Sequence, residues 1–263
     1  MILEAVGGGL LVGLALGMTG GGGSILAVPY LLYVLGLDMR TAVRVSLAVV
    51  GLTSLFGTLM QRREVVWKAG AVLGAGGLFG APLGAWLGTR LPETLVLLLF
   101  AGLMIFISLR FMRGGQTGTE VPLTRFGCAV EPGCDRPQFH WSCAFKLLTA
   151  GSVAGVLAGL FGVGGGFILV PALMMVARLS LPAALSTSLL SITILSGFSY
   201  VANHGAGEAV DWNAVMLFLG GAFAGMSGGV MLKRIIPAPI LRKVFAISVM
   251  VIAVTMIVKT LSG

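Results

Sequence analysis

The chain has 263 residues, 57% of them hydrophobic and 10% charged, with a mean hydropathy of +1.04 and a formal net charge of +8. That apolar content exceeds what soluble domains carry, so a soluble enzyme is excluded. The positive charge does not point to nucleic acid, because Lys and Arg sit in short loops between apolar runs, where they orient a membrane chain.

Apolar runs cover about residues 2–18, 24–37, 45–60, 66–88, 94–112, 145–161, 167–177, 183–202, 212–232 and 240–258. Several are long enough to cross roughly 30 Å of hydrocarbon as helices. A membrane barrel would instead show weakly alternating segments of about ten residues. The expected class is an all-α polytopic membrane protein of about ten segments. Residues 1–18 do not read as a cleaved signal, since Glu4 stands where a positive residue would precede the apolar stretch.

The first two runs form a hairpin interrupted by Thr19-Gly20-Gly21-Gly22-Gly23-Ser24. Glycine costs about 1 kcal/mol relative to alanine inside a helix, so four in succession should end one. Ser24 is placed to cap the helix that follows, and Pro29 to weaken or kink it. Such a break leaves a helix N-terminus with bare N–H groups and the positive end of the dipole, a geometry that attracts anions. Gly20, Gly21, Gly22, Gly23 and Ser24 are therefore candidate walls of an anion site. The next run begins near Arg44 and carries Ser46, Thr53 and Ser54. Arg44 either reaches inward to an anionic substrate or snorkels to the headgroups. The run 66–88 holds Gly76, Gly80, Gly84 and Gly88, a small-xxx-small ladder suited to helix packing.

Residues 114–144 are polar, with Cys128, Cys134, His140 and Cys143. The spacing lacks the close C-x2–4-C pair of structural zinc sites, so reduced cytoplasmic thiols and no metal are expected. The expected division is a first membrane repeat over 1–113, a cytoplasmic linker over 114–144 and a second repeat over 145–263.

The second half writes the first again. Gly13, Gly17, Gly20, Gly22, Gly23, Val28, Pro29, Ala42, Ser46 and Leu47 recur 142 positions on as Gly155, Gly159, Gly162, Gly164, Gly165, Val170, Pro171, Ala184, Ser188 and Leu189. A 145-position offset then pairs Trp67, Gly76, Gly80 and Gly84 with Trp212, Gly221, Gly225 and Gly229. Gly162, Gly164, Gly165 and Gly166 thus form a second candidate wall. The hydroxyls that follow, Thr187 and Ser188 above all, can donate to an oxyanion without burying a charge. Duplicated units broken at matching points are how many secondary transporters build a site between two halves.

Charge sets the orientation. The loop with Arg62, Arg63 and Lys68 is basic, whereas its counterpart with His204, Glu208 and Asp211 has no Lys or Arg. The next loops reverse the signal, Arg90 and Glu93 against Lys233, Arg234, Arg242 and Lys243. Counting each broken hairpin as two segments gives two inverted-topology repeats, each a Gly-broken hairpin plus three transmembrane helices. Both termini are then outside, with 13 of 17 positive residues inside. Counting each hairpin as one span gives parallel repeats and an uninformative split. Function then divides between a secondary transporter for a small anion and an anion channel of the same architecture.

The sequence has no ATP-binding G-x-x-x-x-G-K-[ST] loop, no H-E-x-x-H and no intramembrane carboxylate pair. No enzyme activity and no cofactor are expected. The expected partners are a small anion, the lipid bilayer and a second copy of the chain through the glycine-ladder helices.

Gly-Val-Gly-Gly-Gly-Phe-Ile-Leu-Val-Pro at 162–171, followed by Ala184-Leu185-Ser186-Thr187-Ser188-Leu189, together with the versions at 20–29 and 42–47, resembles the TauE/SafE family of membrane permeases. The resemblance implies movement of a sulfite-like sulfur oxyanion or an organosulfonate across the bacterial inner membrane, often outward. Two features depart from the family pattern. Arg44-Val45-Ser46 stands where small residues and threonine are more usual, and the cysteine-bearing linker is longer than the usual connection.

Overall fold

A computed structural model describes residues 2–112, 141–161, 166–177, 179–202 and 212–233, with Ile235 and single positions between 247 and 258. Nine helices are defined among them: α1 (Ile2–Thr19), α2 (Gly23–Tyr33), α3 (Met39–Met60), α4 (Trp67–Arg90), α5 (Glu93–Met112), α6 (Trp141–Phe161), α7 (Gly166–Val176), α8 (Leu181–Ala202) and α9 (Trp212–Lys233). Helical positions recur between 247 and 258, and no strand occurs among the described residues. The protein is an all-α polytopic membrane protein. The linker cysteines Cys128 and Cys134 and the loop residues His204 and Glu208 lie outside the described residues.

Local chemistry sets the boundaries. Asp38 caps α3, its carboxylate accepting the Thr41 N–H at 3.1 Å. α1 stops where Gly20 turns to a φ of 67°, and the chain beyond α2 turns at Gly36 with a φ of 66°. As a result α2 has 11 residues, and so does its repeat mate α7. A helix of that length rises about 16 Å, roughly half the hydrocarbon thickness. Among the described residues four helices are long and apolar enough to cross a membrane: α3, α4, α8 and α9, which are two pairs of repeat mates.

The two halves interlock through glycine. A methyl group on Gly9, Gly13 or Gly17 of α1 would meet the backbone of Phe218, Ala222 or Met226 on α9. From the α9 side, Gly221, Gly225 and Gly229 lie against the backbone of Val6, Leu10 and Leu14. The same interface is built again from α6 and α4. Gly151, Gly155 and Gly159 face Leu73, Gly77 and Ala81, while Gly76, Gly80 and Gly84 face Leu148, Ser152 and Val156. Offsets of 142 and 145 convert each contact of the first interface into one of the second. The ladders pair helices of one chain, so these glycine faces are occupied within it.

Inside a bilayer, helices are held by close backbone approach rather than by water exclusion, which favours small residues at interfaces. α4 follows that rule: Gly70, Gly74, Gly77, Gly80, Ala81 and Gly84 are buried, while Phe79, Leu83 and Trp86 point outward at 69%, 62% and 57% exposure. At the centre α3 crosses α8, with Gly51 against Ser196 and Gly57 against Leu189. These repeat mates therefore run antiparallel. The main apolar core joins α1–α4 with α6–α9, and a second cluster of Ile25, Val28, Val96, Phe100, Met104 and Ala253 fastens α5 to α2.

Candidate functional site

The first hairpin tip is wholly inside the protein. Gly20 to Ser24 are all buried, and Gly20 donates its N–H to the Leu16 carbonyl at 2.8 Å. Thr19 Oγ1 accepts the Gly22 N–H at 2.8 Å and donates to the Ala15 carbonyl at 2.6 Å, tying the break to the end of α1. Ser24 does not cap α2. Gly23 already has helical geometry, so the helix starts one residue earlier, and Ser24 Oγ folds back to donate to the Gly21 carbonyl at 2.7 Å. The N-cap position falls to Gly22, with no side chain on the helix terminus. Two of the N–H groups expected to be bare have partners, Gly22 on Thr19 Oγ1 and Ile25 on the Gly22 carbonyl at 3.2 Å.

Two tips meet. Gly21 packs on the backbone of Gly166, and a Cβ on Gly166 would lie 2.9 Å from Gly21 Cα. No larger residue fits either position without separating the tips. Gly162, Gly164 and Gly165 lie outside the described residues, so the second wall is seen from Gly166, the first residue of α7.

Of the favoured hydroxyls, Ser188 touches the first tip and Thr187 the start of α4, and both serve backbone. Ser188 Oγ lies 2.6 Å from the Gly20 carbonyl and 2.8 Å from the Leu185 carbonyl, pinning the first tip to α8. Thr187 Oγ1 accepts the Val66 N–H at 2.9 Å, docking the start of α4 on α8. Ser46, the repeat mate of Ser188, is 1% exposed on α3.

Arg44 is different in kind. It is half-buried on α3, yet its Nε and Nη1 are sealed from solvent and have no hydrogen-bond acceptor. Burying a guanidinium without an anion is among the costliest arrangements a membrane protein can hold. Three deeply buried hydroxyls, on Thr53, Ser54 and Ser196, are also unpartnered near the α3–α8 crossing. Hydroxyls in helices usually donate one turn back, as Thr58 does to the Ser54 carbonyl at 2.8 Å and Thr193 to the Leu189 carbonyl at 2.9 Å.

The repeat mate of Arg44 is Ser186, and its surroundings are crowded. Ser186 Oγ lies 2.9 Å from Glu64 Oε2 and 3.0 Å from Gln61 Oε1. Lys233 Nζ donates to Gln61 Oε1 at 2.8 Å and pairs with Glu64 Oε2 at 3.5 Å. Sequence reasoning did not single out Gln61, Glu64 or Lys233 as one group. The only local signal was polarity at the ends of apolar runs, and Lys233 lies 172 positions from Gln61.

With that geometry in place, similarity to known proteins decides the family. The family model described as "Sulfite exporter TauE/SafE" matches residues 5–256. The chain belongs to the TauE/SafE family. A "Probable membrane transporter protein" of Xylella fastidiosa (strain 9a5c) is 31% identical over 261 residues, covering 97% of this chain and 95% of that one. The "Probable membrane transporter protein YdhB" of Bacillus subtilis (strain 168) is 28% identical over 237 residues, with 88% and 90% covered. A "Probable membrane transporter protein MamO" of Magnetospirillum gryphiswaldense is 26% identical and matches 97% of this chain but only 45% of its own length. No solved structure matches the chain. The family member described here is a multi-pass membrane transporter.

Proposed function

We propose that this transporter moves a small anion, a sulfite-like sulfur oxyanion or an organosulfonate, by alternating access between oppositely inserted halves. The observation that carries the proposal is Arg44, whose buried Nε and Nη1 have no acceptor among the described residues. A transported anion supplies the missing acceptor, and a planar guanidinium suits an oxyanion because it offers paired donors in a fixed fork. The uncapped start of α2 and the meeting of Gly21 with Gly166 support a site built from both halves. The antiparallel crossing of α3 and α8 supports inverted insertion, since a two-fold axis in the membrane plane reverses the direction of repeat mates.

On this reading residues 1–113 and 145–263 are the two repeats, the linker 114–144 and the loop with Arg62 and Arg63 face the cytoplasm, and both termini lie outside the inner membrane. Sulfur chemistry and outward direction come from the family description. The closely packed tips favour a carrier over an open pore. The test is counterflow in proteoliposomes. Preloaded sulfite should accelerate uptake of labelled sulfite with saturation, and large unitary currents in planar bilayers would replace the carrier with a channel.

A further inference from the structure

We infer that Lys233, Ser186 and Gln61 form a second oxyanion subsite at the Arg62/Arg63 mouth, and that the Glu64 carboxylate plugs it until a transported anion takes its place. The inference rests on the anion reading above and assigns to it residues at the far end of the pathway from Arg44.

Two donors converge on one carboxylate oxygen: Glu64 Oε2 is 2.9 Å from Ser186 Oγ and 3.5 Å from Lys233 Nζ. A cation and a hydroxyl on a single oxygen are the recognition elements a small oxyanion requires. The donors are fixed. Lys233 ends α9, Ser186 sits in the second turn of α8 with its hydroxyl also 3.0 Å from the Pro182 carbonyl, and Gln61 Oε1 holds the ammonium at 2.8 Å.

The acceptor is the replaceable part. Lys233 is 13% exposed, whereas Glu64 is 42% exposed. Glu64 belongs to the turn between α3 and α4, so its side chain can leave without unwinding a helix. An ion pair this wet holds its anion weakly, because solvent screens the attraction. Arg62 and Arg63, exposed in the same turn, raise the local concentration of any small anion.

The repeat supplies an internal comparison. Position 44, equivalent to 186, holds a half-buried guanidinium whose Nε and Nη1 have no acceptor among the described residues. One mouth waits for an anion while the other carries its own. A tethered carboxylate is then a competitor that keeps the second subsite closed when substrate is scarce.

The experiment titrates the purified full-length protein with sulfite and, separately, sulfate, following tryptophan fluorescence or heat. Glu64→Gln keeps the shape and removes the competing charge, so binding should tighten about fivefold, the scale of a partly exposed ion pair. Lys233→Met should weaken binding relative to Glu64→Gln, and Lys233→Arg should restore it. Equal or weaker binding in Glu64→Gln, especially with a lower melting temperature, would make the group a structural latch and overturn the inference while leaving the anion reading intact. If neither wild type nor Glu64→Gln binds either anion, both fall together.

Discussion

Ser186 and Arg44 occupy equivalent positions in the two halves and have opposite surroundings. Ser186 lies in a network that brings Glu64 and Lys233 together, whereas the buried Nε and Nη1 of Arg44 have no acceptor among the described residues. The scaffold between them is duplicated contact for contact, from Gly13 on Ala222 to Gly155 on Gly77. On the proposed reading, the difference between the two positions lies where an anion would enter or leave. The comparison teaches that this chain keeps its helix packing symmetric while positions 44 and 186 differ chemically, which on the proposed reading lets two similar halves treat one guest differently.

The scaffold side of that comparison predicts the largest effects. Gly13→Leu and Gly155→Leu each force a side chain into a backbone carbonyl that cannot move aside. Each should cost more than about 4 kcal/mol and leave little monodisperse protein after detergent extraction. Gly220→Leu, one position from the ladder with open space around its Cβ, should extract normally. Clearly unequal losses for Gly13 and Gly155 would break the equivalence of the two interfaces.

A smaller effect concerns how α3 is started. Asp38 caps it through Thr41, and hydrogen bonds from the Thr41 side chain and backbone hold its carboxyl below the usual range. The stabilisation is therefore present above the unfolded carboxyl's pKa and is lost as pH falls through the folded one. Asp38→Ala should cost about 1 kcal/mol at neutral pH. The gap to wild type should close on acidification, as read from melting temperature against pH. A gap independent of pH would mean that the cap does not act through its charge.

Much of the fold was legible in the sequence. Ten apolar runs, the glycine break and the repeat offsets follow from composition and spacing alone, and the helices fall on those runs. Ladder pairing was not legible, because a glycine stripe records that a helix packs closely but not against which neighbour. The glycine faces expected to receive a second copy are instead taken up within the chain. Ser24 was misread as a cap because Gly23 enters the helix despite its low propensity, with tertiary burial overriding local preference. Ser188 stands beside the first tip and Thr187 beside the start of α4, yet their hydroxyls are bonded to backbone, which residue type cannot reveal. The Gln61–Glu64–Ser186–Lys233 group joins three distant stretches and leaves no periodic trace.

The central claim is that Arg44 is kept buried and unmatched in order to hold the transported anion. Its most direct test is the melting temperature of wild type and Arg44→Met with and without sulfite, since a ligand bound to the native state raises apparent stability. The account predicts that Arg44→Met melts higher than wild type in anion-free buffer, being relieved of an unpaired buried charge, and that sulfite no longer raises its melting temperature. Equal sulfite-dependent shifts in the two proteins would contradict it.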